Sequence, residues 1–211
     1  DAYNAPIKLK SDIALDLSGV TITAIPNDKI WHSIVWINGV NNVTIINGLI
    51  RGDRDAHLTS TAPEAGGGGG GLYIRDSSNI TVTGTVVSAG FADGILIMNG
   101  NHIRIEHVVA DRNRRQGISI INGDDMLVHN SQFSNNGGTP PGNGIDIECD
   151  LDSEVVSNVT IDSNAFYGNA GSGVGVGSPG AYSNIHITNN SFDMKTQPIW
   201  TGGNAGSLGT P

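Results

Sequence analysis

Asp146 and Glu148 stand two residues apart in the run Gly144-Ile145-Asp146-Ile147-Glu148. In an extended segment both side chains share one face, with Cα atoms roughly 6–7 Å apart. Paired carboxylates at such a range suit glycoside hydrolysis, in which one protonated acid serves the leaving oxygen and the other acts as base or nucleophile. Asp93, in Asp93-Gly94-Ile95-Leu96-Ile97, is a third acid of the same context. Arg112, Arg114 and Arg115 lie just upstream of the pair. Arg115 joins the three acids as a catalytic candidate. Arg114 and Arg112 are substrate-binding candidates, because a guanidinium clamps a carboxylate or sulfate bidentately and favours ionisation of nearby acids. A second cluster is Arg51-Gly52-Asp53-Arg54-Asp55-Ala56-His57, where His57 is placed to shuttle protons, oriented by Asp53 or Asp55, with Arg54 on the substrate. No shared histidine spacing supports a zinc site. No resident cofactor is expected, although Asp146, Glu148, Asp150 and Asp152 are dense enough to hold Ca²⁺ through oxygens.

These residues need a frame, and an internal repeat supplies one. A glycine followed by two apolar residues around a variable position recurs at Gly71-Leu72-Tyr73-Ile74, Gly94-Ile95-Leu96-Ile97, Gly117-Ile118-Ser119-Ile120, Gly144-Ile145-Asp146-Ile147 and Gly173-Val174-Gly175-Val176, at intervals of 23, 23, 27 and 29 residues. A second apolar alternation follows each time, as in Asn42-Val43-Thr44-Ile45, Asn79-Ile80-Thr81-Val82 and Asn158-Val159-Thr160-Ile161. A single inward position comes after that: Ile50, Val87, Ala110, Phe133, Phe166 and Phe192. Strands this short cannot bury a face alone, but stacked coil on coil at about 4.8 Å they pair in parallel and align like residues. The spacing predicts an all-β solenoid, a single-stranded parallel β-helix of about seven coils. Aligned on the repeat glycine, Tyr73, Leu96, Ser119, Asp146 and Gly175 form one outward column, and Arg75, Met98, Ile121, Glu148 and Gly177 a second. Tyr73 and Trp36 would offer stacking surface to a sugar, and Arg75 joins Tyr73 as a binding candidate.

Composition agrees and excludes several classes. The chain has 211 residues with 30 glycines, 15% charged and 5% aromatic residues. With 37% hydrophobic residues it is too apolar for a disordered chain, its glycines lack a collagen period, and Gly with β-branched residues forms poor helices. The net charge of −9 disfavours nucleic acid and anionic membranes as partners. The asparagines of the Asn-x-Thr/Ser sequons starting at Asn42, Asn79, Asn158 and Asn189 fall at expected turns and are accounted for by turn chemistry. Residues 1–200 read as the solenoid domain, expected to be a fragment of a longer chain whose uncapped ends are covered by further domains or by a homo-oligomer. Residues 201–211 read as a Gly-rich tail.

The segments Asn113-Arg114-Arg115-Gln116-Gly117-Ile118-Ser119-Ile120, Gly138-Thr139-Pro140-Pro141-Gly142-Asn143-Gly144-Ile145-Asp146-Ile147-Glu148 and Gly52-Asp53-Arg54-Asp55-Ala56-His57 resemble bacterial and phage proteins of the pectate-lyase-like, right-handed parallel β-helix superfamily. The resemblance implies an extracellular or virion-associated protein that works on polysaccharides as hydrolase, uronate lyase, C5-epimerase or tailspike depolymerase. The superfamily's catalytic motifs (Asp-Pro-His, Gly-His-Gly, Arg-x-Pro-x-x-Arg) are missing, so no catalytic residue carries over. The expectation is cleavage of glycosidic bonds in an acidic polysaccharide, in a groove along the coil face. The alternatives are a lyase or C5-epimerase acting by proton abstraction, and a non-catalytic glycan-binding or structural module of a tail fibre or adhesin.

Overall fold

Short strands recur in threes. The computed structural model describes residues 5–58, 70–177 and 179–202, and within them each circuit of the chain lays down three β segments joined by tight bends. The first segments form one parallel ladder of eight: Ile7–Lys8, Val35–Asn38, the opening halves of Gly70–Thr83, Asp93–Glu106 and Ile118–His129, then Ile145–Ile147, Val174–Val176 and Ile199–Thr201. The second ladder takes Ile13–Asp16, Asn41–Ile46, the closing halves of the three long strands, Val155–Asp162 and Ala181–Thr188. The third has seven members among the described residues, from Thr21–Thr23 and Leu49–Arg51 to Ala165–Tyr167 and Ser191–Asp193. Every pairing is parallel, which is the solenoid that the repeat predicts.

The bend between the first two segments explains the recurrent Asn. Asp12, Asn42, Asn79, His102, Asp125, Asn158 and Asn184 occupy the same place in seven coils, all with φ between 52° and 62°. Asn and Asp tolerate this left-handed region better than other residues with a Cβ. Neighbours in the column also bond to one another: Asn42 Nδ2 donates to Asp12 Oδ1 at 2.7 Å and Asn184 Nδ2 to Asn158 Oδ1 at 2.9 Å.

The interior is built from ladders of like residues. Ile74, Ile97, Ile120, Ile147 and Val176 stack in register and are fully buried. On the third face Ile50, Val87, Ala110, Phe133, Phe166 and Phe192 align, and the phenyl rings stack at 5.2 and 5.0 Å between centroids. At the corner after this face the backbone leaves the ladder, and buried asparagines replace it. Asn136 Oδ1 accepts from the backbone N and Nδ2 of Asn113, and Asn169 Oδ1 accepts likewise from Asn136. That corner carries the candidate arginines and Asp93.

Two expectations need adjustment. Met98 faces Asn122 instead of Ile121, in a local irregularity that closes again where Gly123 faces Gly100. Thr201 is still part of the last strand, opposite Val176. Residues 59–69, with most of the glycine run, and 203–211 of the expected tail lie outside the described residues. Among the described residues no helix is long and apolar enough to cross a membrane.

The Phe stack sets a stability test. Phe166→Ala opens a cavity between two rings that cannot collapse independently, and is expected to cost about 3–5 kcal/mol. Denaturant unfolding checks this; a loss under about 1 kcal/mol would show that the ladder is not a principal core element.

Candidate functional site

Strand pairing puts Trp36, Tyr73, Leu96, Ser119, Asp146, Gly175 and Trp200 directly opposite one another in turn, so the outward column exists. It is not uniformly open to solvent. Asp146 is only 3% exposed and Ser119 fully buried, because side chains of the neighbouring corner fold over them. Gln116 Nε2 donates to Asp146 Oδ2 at 2.8 Å, and Asn143 Nδ2 to Oδ1 at 3.0 Å. Gly175 makes room for this: a Cβ there would sit 2.7 Å from Asp146 Oδ1 and 2.5 Å from Asn143 Nδ2.

Two coils earlier, Asp93 is equally enclosed. Its Oδ1 accepts from the backbone N of Gln116 at 3.1 Å, and its Oδ2 from Ser119 Oγ at 3.0 Å. Arg115 joins the coils on either side, with one guanidinium nitrogen 3.3 Å from Asp93 Oδ2 and the other 2.6 Å from Glu148 Oε1. The structure thus brings Asp93, Arg115, Asp146 and Glu148 into one network. It adds Gln116, Ser119 and Asn143, which the sequence reading did not single out.

Arg115 favours ionisation of both acids, as expected of an arginine, but burial outweighs it. Burial pushes the Asp93 carboxyl up to about 6, opposed by Arg115 and by its hydrogen bonds to Gln116 and Ser119. Burial, reinforced by the charge of Glu148, pushes Asp146 up to about 7 against the Asn143 bond and Arg115. Desolvation wins because Arg115 divides its charge between Asp93 and Glu148. A protonated Asp146 needs an acceptor, and Gln116 Oε1 is buried beside it with no partner. A half-turn of the Gln116 amide supplies that acceptor.

Two clefts flank the Arg115–Glu148 pair. One, of about 350 Å³, is lined by Asn143, Asp146, Glu148, Ser172, Gln197 and Trp200 among others. The other, of about 170 Å³, is lined by Trp31, Asp93, Leu96, Met98, Arg115 and Asp150 among others. Asp146 and Glu148 therefore open onto the same space, and Asp93 onto the next. Trp200, 44% exposed, was missed as a site residue; its only signal was its place in the column opposite Gly175.

The remaining candidates lie elsewhere. Arg112 pairs with Asp55 at 2.9 Å. Arg114 lies over the Phe91 ring, 4.6 Å from its centroid, and donates to the Phe91 carbonyl at 3.3 Å. Arg54 donates to the carbonyls of Arg112, Asn113 and Gly137. His57 is stacked on Phe91 and bonded through Nδ1 to Asp53 Oδ2 at 2.9 Å, and Asp53 in turn accepts from Asn27. The His57 side chain is 2% exposed, held between Phe91 and Asp53. Tyr73 and Arg75 are bonded to each other at 3.2 Å on the column face, three coils before Asp146, with Trp36 edge-on to Tyr73. The four acids considered for Ca²⁺ do not converge: Asp146 and Glu148 are tied as above, Asp150 lines the smaller cleft and Asp152 is exposed. Among the described residues no three His, Cys, Asp or Glu side chains are grouped to hold a metal ion.

The family model for the right handed beta helix region matches residues 33–208. The chain belongs to the right-handed β-helix family. No curated protein matches it. Among solved structures this β-helix is similar to PfbA, a surface adhesin of Streptococcus pneumoniae, at 15% identity and a TM-score of 0.63, over 92% of this chain and 52% of that one. It is also similar to a protein of Parabacteroides merdae described as a candidate glycosyl hydrolase, at 12% identity and a TM-score of 0.54, over 89% of this chain and 75% of that one. The chain spans about half the length of the adhesin. At these identities the likeness is one of fold.

The buried acids generate a stability prediction. An ordinary aspartate ionises near 3.8, whereas Asp93 and Asp146 in the folded β-helix do so at about 6 and about 7. Across that window the native state holds more protons than the unfolded chain, so their contribution makes stability fall as pH rises. Asp146→Asn removes its share, since the Gln116 amide can turn to meet the new side chain. The variant should melt several degrees above the parent near pH 7.5 and show a shallower pH slope; thermal melts at a series of pH values check it, and an unchanged slope would contradict it.

Proposed function

We propose that this β-helix cleaves glycosidic bonds of a polysaccharide, with Asp146 as general acid and Glu148 as base or nucleophile. The observation that carries the reading is that both carboxyls line one cleft under opposite conditions. Asp146 is desolvated and retains its proton toward neutrality, whereas Glu148 is paired with a guanidinium. Two acids in contrasting environments divide acid and base roles between them. Asp146 gives its proton to the leaving oxygen, and Glu148 either takes a proton from the attacking water or attacks the sugar itself. Asp93 is a positioning residue, acting through Arg115, Gln116 and Ser119. The lyase and epimerase alternatives are less well supported, because Arg115 is committed to two carboxylates and is not free to neutralise a uronate or to abstract a proton. Work on an extracellular or surface polymer fits the fold's use in a surface adhesin.

A second reading has its own support. Each oxygen of Asp93 and Asp146 has a partner within the protein, which also describes a structural network in a binding module. Digestion of a broad polysaccharide panel separates the readings. The hydrolase releases new reducing ends without an unsaturated, ultraviolet-absorbing product, and Asp146→Asn or Glu148→Gln lowers turnover by at least about a hundredfold with the fold intact. Arg115→Lys keeps charge but not the two-pronged bridge, and should lower kcat more than it raises KM. Unsaturated ends would transfer the assignment to a lyase. Binding without products across the panel would leave the non-catalytic module.

A further inference from the structure

We propose that the cleft beside Asp146 takes an uncharged sugar ring, stacked on Trp200, and disfavours a uronate or sulfated ring there. The proposal rests on the cleavage reading and names the substrate class of the same site. It reverses the acidic polymer expected from the three clustered arginines, since two of them point away and the third is already paired.

The cleft of about 350 Å³ falls in the size range of pockets that hold small organic ligands, roughly 300–1,000 Å³. Its lining holds two acids, Asp146 and Glu148, and among the described residues no Lys, Arg or His. Both guanidinium contacts of Arg115 go to Asp93 and Glu148, and Arg115 lines the neighbouring cleft. Arg112 is held by Asp55, and Arg114 lies over Phe91. Lys195, next in the chain to Thr196 at the cleft edge, is exposed and outside the lining. A uronate or sulfate here would meet no free cation among the described residues, since Arg115 already balances Glu148, and an anion left unpaired in a partly desolvated site costs affinity.

An uncharged ring meets what the cleft does offer. Trp200 presents a part-exposed indole, approached closely by the backbone of Gly177 and Gly202, as an apolar surface for the C–H face of a pyranose. Ser172 and Gln197 supply polar groups for hydroxyls, and Asn143 with Asp146 closes the inner wall. Trp200 faces Gly175, so the column itself puts no side chain between indole and Asp146, and the Asn143 amide fills the space over that glycine. A ring on the tryptophan therefore shares the cleft with Asn143, Glu148 and the proposed acid.

The test uses oligosaccharides of matched length, one set of neutral hexose and N-acetylhexosamine units and one set uronic or sulfated. Affinity is read by isothermal titration and cleavage by new reducing ends. The neutral set should bind at least about tenfold more tightly, Trp200→Ala should lose about tenfold toward it, and Gln197→Arg, which supplies the missing cation, should narrow the gap between sets. Tighter binding and cleavage of the acidic set by the parent protein would overturn the inference and leave the cleavage reading standing. Tight binding of the neutral set without cleavage would overturn that reading instead. Absence of binding to either set would overturn both.

Discussion

Lateral hydrogen bonding from coil to coil is the constraint on which the rest of the molecule depends. Among the described residues, an inner strand finds its backbone partners in the coils above and below, at a spacing of about 4.8 Å. Each residue must then tolerate its counterparts one coil away. Inside, that favours like on like: isoleucines over isoleucines and phenyl rings stacked at 5.0–5.2 Å. Outside, it places unlike chemistry in single file, which is how Ser119, Asp146, Gly175 and Trp200 come to be consecutive neighbours although they are far apart in the chain.

The same constraint makes the acids unusual. Strand alternation aims Asp146 outward, where a carboxylate would ordinarily be hydrated. The corner residues Gln116 and Asn143 close over it, and Gly175 above leaves the space for them to do so. Asp93 is enclosed by the backbone of Gln116 and the Ser119 hydroxyl. Burial then dominates the electrostatics, and Arg115 serves as the shared counter-charge of two coils.

What could be read from the chain follows the division between strands and corners. The Ile74-to-Val176 and Ile50-to-Phe192 ladders were legible because a strand has a period of two and coil stacking copies it. So was the acid-bearing column. Side-chain direction at corners has no such period, and there the reading of Arg112 and Arg114 as neighbours of Asp146 did not match the structure: one turns to Asp55 and the other to Phe91. The irregularity at Asn122 was illegible because it opens and closes within one residue pair and leaves the 23-residue interval unchanged. Gln116 and Asn143 each stand just before a repeat glycine, and their contacts to Asp146 depend on the corner's path.

Arg54 gives the molecule a property that a simple stack lacks. In a solenoid each coil touches only the next, so stability is close to a sum of nearest-neighbour terms and the ends can fray separately from the middle. By gripping the carbonyls of Arg112, Asn113 and Gly137, the Arg54 guanidinium links a corner of one coil to corners of coils beyond its neighbour. The coils under that span share their fate on loading or heating, and an opening that starts in the earlier coils meets this tie before it reaches Asp93, whereas Asp146 and Glu148 stand beyond it.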